Sequence, residues 1–229
     1  MKNPKVSIVI PTFNEEKEIE AALNSITSQK NPPSYEIIIS DAGSKDKTLE
    51  IAKKYADQIV HEPKRTVSAG RQTGAKAASG EIMITANADT YYPPTWLTSL
   101  IRPFEDKRIV GSLGRVYPRD GDIMDNIFAS VVLHPGAKAL AALNLHYAAS
   151  ENMAVRLQEF HKAGGFDPNR ISAEDTDMIQ RIKSFGKVVY TPEATSYVSM
   201  RRVRKWGKLY YTYFHTTNFI KSHFFNSYN

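Results

Sequence analysis

Four polar clusters in this 229-residue chain carry side chains suited to binding a phosphorylated ligand or moving a proton. The first is Thr12, Asn14, Glu15 and Glu16 of PTFNEE, which follows a β-branched run and opens on Pro11, a residue that ends a strand's hydrogen-bond ladder. The second, Asp41-Ala42-Gly43-Ser44, follows EIIIS. Its small residues admit close approach by a ligand, and Asp41 offers an acceptor to a nucleobase N–H. The third, Asn87-Ala88-Asp89, follows EIMITA, where a carboxylate would hold Mg²⁺ or Mn²⁺ through oxygen beside a diphosphate. The fourth is Glu174, Asp175 and Asp177 of AEDTDM. One carboxylate suffices as a general base, and the same three acids would also complement the positive end of a helix. Arg71 carries a guanidinium whose fork suits phosphate oxygens, and it could equally be a helix-surface residue.

The elements that must position these groups show in the apolar rhythm. Short β-branched runs at 6–10, 37–40, 58–60, 82–85 and 109–113 alternate with helix-like stretches such as 15–29 and 46–55, the latter capped by Ser44 or Asp46. That alternation predicts an α/β fold with a parallel sheet. Ligands of such sheets bind at the carboxyl ends of the strands, so the first three clusters should ring one crevice. Farther on, 123–149 reads as one or two helices around His134-Pro135-Gly136, 174–185 as a helix and 187–190 as a strand. The chain reads as one domain over 1–229, with a regular α/β half to about residue 115, a less regular half over 116–200 and a basic, aromatic segment over 201–229.

Taken in order, these segments resemble glycosyltransferase family 2 over residues 6–198. VSIVIPTFNEE looks like the family's opening, DAGSKDKT like its base-binding turn, and SAGRQTGAKAASGEIMITANAD like its stretch from arginine to the DxD motif. SENMAVR, KAGGFD and AEDTDMIQRI match the acceptor-side segments in the same order. The resemblance implies the GT-A fold, with a mostly parallel central sheet, helices on both faces and a Rossmann-like half joined to an acceptor half. It implies an inverting transfer, hexosyl by expectation, from a UDP- or GDP-linked sugar to an acceptor hydroxyl or phosphate, assisted by Mg²⁺ or Mn²⁺. By the same match Pro11, Thr12, Asn14 and Glu15 line the nucleoside pocket, Asp41 reads the base, Arg71 lies near the diphosphate and Asp89 holds the metal. Asp175 becomes the base, with Glu174 and Gly165 on the acceptor side. Two positions depart from the family pattern. Asn87 replaces the first acid of DxD and can still bond a ribose hydroxyl, and Val198 stands where many relatives place a histidine that would be a further metal ligand.

Composition narrows the classes further. The chain has no cysteine, which removes disulfides and thiolate chemistry, and its six histidines lack ligand spacing. No apolar run approaches the roughly 18 residues of a membrane span, and the start has no signal-peptide pattern, so a cytoplasmic location is expected. A net charge of +6 and a pI near 9.3 suit anionic ligands. No nucleic-acid module is recognisable, and PTFNEE lacks the glycines of a nucleotidyltransferase loop. After the sheet, Arg201, Arg202 and Arg204 are candidate diphosphate contacts. RVRKW replaces the QxxRW of processive synthases, so a processive polymerase is disfavoured. Trp206, Tyr210, Tyr213 and Phe214, with Phe219, Phe224 and Phe225 beyond, form either a core stripe or a peripheral contact with the inner membrane face. The acceptor is then a sugar or a lipid-linked group such as a polyprenyl phosphate. The competing function is a catalytically silent module that binds nucleotide sugars or polyanions.

Overall fold

Both faces of the sheet are buried, which is why its first strands read as unbroken apolar runs. In β1 (Val6–Thr12), Val6, Ile8 and Ile10 enter one core with Ile37, Ile39, Ile82 and Ile84, while Val9 turns to the other with Ile38 and Met83. The computed structural model describes residues 5–146, 148–170 and 172–224, without the side chains of 219 and 222–224. Phe225 and the side chains of Phe219 and Phe224 therefore lie outside the described residues.

The sheet continues through β2 (Tyr35–Asp41), β3 (Gln58–His61), β4 (Ile82–Thr85), β5 (Thr90–Tyr91), β6 (Ile109–Pro118), β7 (Met153–Arg156) and β8 (Lys187–Val198). Its eight strands lie in the order β3-β2-β1-β4-β7-β6-β8-β5. The first four strands are mutually parallel, with Thr12 level with Asp41, so the polar ends of β1 and β2 meet at one edge. On one face sit α1 (Ile19–Thr27), α2 (Thr48–Ala52) and α4 (Trp96–Ile101). On the other sit α3 (Val67–Ala77), α7 (Leu157–Lys162) and α8 (Glu174–Ile182). Two further helices, α5 (Ile123–Phe128) and α6 (His134–Ala142), are joined by a π-helical turn at Ala129–Leu133, and the chain closes with α9 (Arg201–Trp206) and α10 (Lys208–Phe224).

The sheet is more mixed than the apolar rhythm predicts. β7 runs antiparallel between β4 and β6, and β5 pairs antiparallel with the end of β8. A run as short as Met-Ala-Val has no readable period, and a two-residue strand exists only through its partner. β8 extends eight residues beyond the expected 187–190, because its register against β6 shifts between Gly114 and Arg115 and pairing resumes at Thr195. α1 starts at Ile19 rather than near residue 15, since Asn14 takes φ +54° and residues 15–18 form a turn first. Neither residue foreseen as the cap of α2 is its N-cap, which is Lys47 without a side-chain cap bond; Asp46, one residue earlier, accepts the Thr48 N–H at 3.0 Å, and the Ser44 hydroxyl is donated to Asp41.

α3 reaches the sheet through glycine. A Cβ at Gly74 would stand 2.3 Å from Cγ1 of Val9, and one at Gly70 would stand 2.9 Å from Cβ of Pro11. Gly74→Ala is therefore expected to lower unfolding stability by about 1–3 kcal/mol through overpacking, read from denaturant midpoints at constant m-value. A midpoint unchanged or raised would mean that α3 is not seated on β1 in this way.

Candidate functional site

The contact of Gly70 with Pro11 places the next residue, Arg71, over the carboxyl ends of β1 and β4. Thr66 fixes the start of that helix by accepting the Ala69 N–H at 3.1 Å. Arg71 is not a surface arginine: it is 2% exposed. Its guanidinium donates to Oδ1 of Asn87 at 2.8 Å and forms a short ion pair with Glu174. Asn87 is held in turn, its N–H donating to the hydroxyl of Tyr92 at 2.8 Å.

Glu174 arrives from the far side by way of the KAGGFD turn. Gly165 has φ +70°, a conformation that strains any residue with a Cβ, and a Cβ there would also push Oε1 of Gln72, 2.5 Å away. Gln72 of α3 accepts the Phe166 N–H at 2.7 Å, and Arg181 of α8 donates to the Gly165 carbonyl at 2.6 Å. The turn is thus strapped between α3 and α8. It sets the first turn of α8 against Arg71, although the residue before it, Ala173, takes φ +56°.

The three acids of that first turn separate by environment. Asp177 is committed to Arg170 at 2.9 Å and Arg181 at 2.6 Å. Glu174 is committed to Arg71. Among the described residues Asp175 has no ion pair, and it accepts N–H groups from Thr176 at 2.6 Å and Ser150 at 3.1 Å. Burial and the neighbouring Glu174 push its carboxyl up to about 7, against the pull of Arg71 and the Thr176 N–H.

On the other side of the crevice the carboxylates of Glu15 and Asp89 converge on Arg201, whose Nε donates to Asp89 at 2.9 Å while its Nη2 meets Glu15. Burial raises the Glu15 pKa even with Arg201 opposing it, and the buried Glu15 Oε2 has no hydrogen-bond partner among the described residues. Two carboxylates held on one guanidinium, one with an orphaned oxygen, fit a position that favours a cation with oxygen ligands. Among the described residues no three His, Cys, Asp or Glu side chains group as a metal cage. The protein would therefore supply one or two carboxylates, with water and phosphate completing the shell, as Mg²⁺ and Mn²⁺ accept. The β5–β8 register pairs Val198 with Thr90, and the next residue, Ser199, donates its N–H to the Asp89 carbonyl at 3.2 Å; position 198 is thus one residue from Asp89, and valine has no ligand to give.

Asp41 is buried, and four donors already reach its carboxylate: the hydroxyls of Thr12 at 2.9 Å and Ser44 at 2.6 Å, and the N–H groups of Gly43 at 2.9 Å and Ser44 at 2.8 Å. Asn14 ties the two loops together, accepting the Lys45 N–H at 2.9 Å and donating its own N–H to the Ser44 hydroxyl at 2.9 Å. Of the three late arginines, Arg201 enters the crevice, Arg204 turns to Asp120, and Arg202 acts electrostatically on Glu151, Tyr211 and His215.

Several residues at the site were not singled out from the sequence. Glu151 is raised by burial among Arg71, Asp89 and Arg202; its only signal was its place in SENMAVR. Tyr211 is pushed up to about 12 by burial and by Glu151, with Asp175 and Asp89 adding to it. Its ring lies 4.2 Å from that of His215. Phe13 is exposed after β1 with Arg65 4.7 Å above its ring, and an aromatic at a strand end could have marked it. The helical stripe of Trp206, Tyr210 and Tyr213 does not complete the core: all three are exposed, and α10 turns Tyr211 and Phe214 inward instead.

Known proteins share this arrangement of elements. The sequence matches the description "Glycosyl transferase family 2" over residues 7–164, more than half of the chain. It is 28% identical over 193 residues to the glycosyltransferase AglE of Haloferax volcanii, covering 80% of this chain and 62% of that protein. It is also 28% identical over 138 residues to a dolichol-phosphate mannosyltransferase of Pyrococcus furiosus, covering 58% of this chain and 39% of that one. The chain thus spans less than two thirds of the length of these relatives. A mannosyltransferase of Pyrobaculum calidifontis, in complex with GDP-Man and Mn²⁺, superposes with a TM-score of 0.73 at 21% identity over 93% of this chain and 60% of that one. With the family match over its first two thirds, and with GT-A glycosyltransferases as its structural neighbours, this chain belongs to glycosyltransferase family 2.

Proposed function

We propose that this chain transfers a sugar, with inversion, from a nucleoside diphosphate to an acceptor oxygen, using Asp175 as general base and a divalent cation at Asp89. The observation that carries the reading is the bridge from Asn87 through Arg71 to Glu174, which sets Asp175, a carboxyl near neutrality, beside a polar edge suited to a diphosphate. In the proposed reaction the acceptor oxygen attacks the anomeric carbon from the face opposite the diphosphate. Asp175 takes its proton, and the bond from carbon to diphosphate oxygen breaks. A divalent cation held by Asp89, with Glu15 within reach, would offset the charge that develops on the departing diphosphate. Arg201 must leave Asp89 before a cation enters, and once released it can meet the phosphate oxygens. Pro11, Thr12 and Asn14 would border the nucleoside, and a hydroxyl of Thr12 or Ser44 must rotate away for Asp41 to accept a base N–H.

The donor class is supported by the GDP-Man and Mn²⁺ of the Pyrobaculum protein, and a lipid-linked phosphate acceptor by the Pyrococcus relative's name. Among the described residues no helix is long and apolar enough to cross a membrane. Calorimetry with UDP- and GDP-sugars in the presence of Mn²⁺ tests the donor half. One nucleotide sugar is expected to bind, with affinity falling at least tenfold both on chelation and in Asp89→Ala, the loss of a charge-assisted contact worth about 1.5–3 kcal/mol. Binding unchanged by both treatments would remove the metal from the reading.

A further inference from the structure

The helix running from α5 through the π turn into α6 has its apolar residues on the wrong side for a soluble surface. Ala129, His134 and Ala137 face the protein, and the bulky residues face out. Ile123 is 76% exposed and Val131 66%, and Met124, Ile127, Phe128 and Val132 are exposed with them. Spaced four apart in two rows, these six would drift around an α-helix. The wider π turn at Ala129–Leu133 keeps them on one face. The N-terminus of α10 lies beside the start of α5, because Lys208 pairs with Asp122 at 2.9 Å and Asp125 at 2.8 Å. The residue after it, Leu209, is 89% exposed, followed by exposed Tyr210 and Tyr213.

Charge says what covers this face. Residues 201–221 hold six lysines and arginines and no acid. The nearby acids are already paired, Asp120 with Arg204 and both Asp122 and Asp125 with Lys208. Lys205 on α9 and Lys138 on α6 remain exposed and in no ion pair with a described residue. A second copy of the chain would bring the same positive charge against itself. An anionic lipid surface answers both the exposed apolar side chains and the excess cation.

We propose that this face lies on an anionic bilayer surface, with Ile123, Phe128, Val131 and Leu209 in the acyl boundary and Lys138 and Lys205 at the headgroups. The proposal rests on the exposed face alone and stands whichever acceptor the transfer uses. It extends the membrane contact expected of residues 201–225 to a surface that begins at Ile123. Because α9 starts at Arg201, the segment that carries Lys205 and Leu209 runs on directly from the crevice.

The test is flotation of the full chain with vesicles of phosphatidylcholine, and of phosphatidylcholine mixed with phosphatidylglycerol, at low and high salt. Two variants accompany it: Ile123→Ser with Phe128→Ser and Val131→Ser, and Lys138→Glu with Lys205→Glu. All five positions are exposed, so both variants are expected to melt as the parent does and to keep its donor binding. The parent should float with the anionic vesicles only, less so at high salt, and each variant should bind roughly tenfold or more weakly. A parent that stays behind with both vesicle types overturns the proposal, as does a triple-serine variant that binds undiminished. Size-exclusion showing a dimer that the triple variant dissolves would overturn it too, by giving the face to a second copy.

Discussion

Asp175→Asn is expected to lower transfer by roughly 10²- to 10⁴-fold, the share a general base supplies, while donor affinity stays within about twofold of the parent. Among the described residues the Asp175 carboxylate takes its hydrogen bonds from the Ser150 N–H and from the N–H and hydroxyl of Thr176, not from the donor edge. The parent's pH profile gives the same assignment a second readout. A base works deprotonated, and burial raises the Asp175 carboxyl to about 7. Turnover should therefore fall about tenfold for each pH unit below that point and level off above it. The sign follows from the raised pKa: the folded protein holds a proton there through a window in which an exposed carboxylate has already lost it. A variant retaining half of the parent's turnover, or a profile flat between pH 5 and 8, a window chosen to bracket roughly neutral pKa values, would move the base elsewhere. Asp177 is a poor substitute, since two arginines hold it.

Arg71→Ala should cost about 3–5 kcal/mol of unfolding stability, because it leaves the Glu174 carboxylate buried without its counter-ion. Replacing both partners together, as Arg71→Met with Glu174→Leu, should recover most of that loss, since no charge is then stranded. Denaturant unfolding of the three variants decides it. A single variant within about 1 kcal/mol of the parent would mean that water reaches Glu174. The same substitution has a functional signature. Arg71 lowers the Asp175 pKa, so its removal should shift the rise in turnover to higher pH, which a loss of packing alone would not do.

Much of this protein can be read from the chain itself. The β-branched runs of β1, β2 and β4, each ending in Pro, Asp or Asn-Ala-Asp, fix a sheet whose polar ends share one edge, because strands of that composition bury both faces and their ligand groups can only follow them. The order of the motifs fixes the family. Four things had no signal along the chain, since each depends on residues far apart in it. β7 is a strand only because β4 and β6 leave a gap that it fills between them. Arg71 and Asp175 acquire their character from burial: 103 residues separate Arg71 from Glu174, and the glycine turn at Gly165 closes that distance. Arg201 finds Glu15 across 186 residues of sequence, so an arginine that reads as one more charge in a basic run becomes the counter-ion of the site's two outlying carboxylates. The outward apolar face of α5 is the clearest case. The sequence marks one or two helices here without saying which side faces the core, and only the burial of Ala129 and Ala137 shows that the large side chains were left in the open.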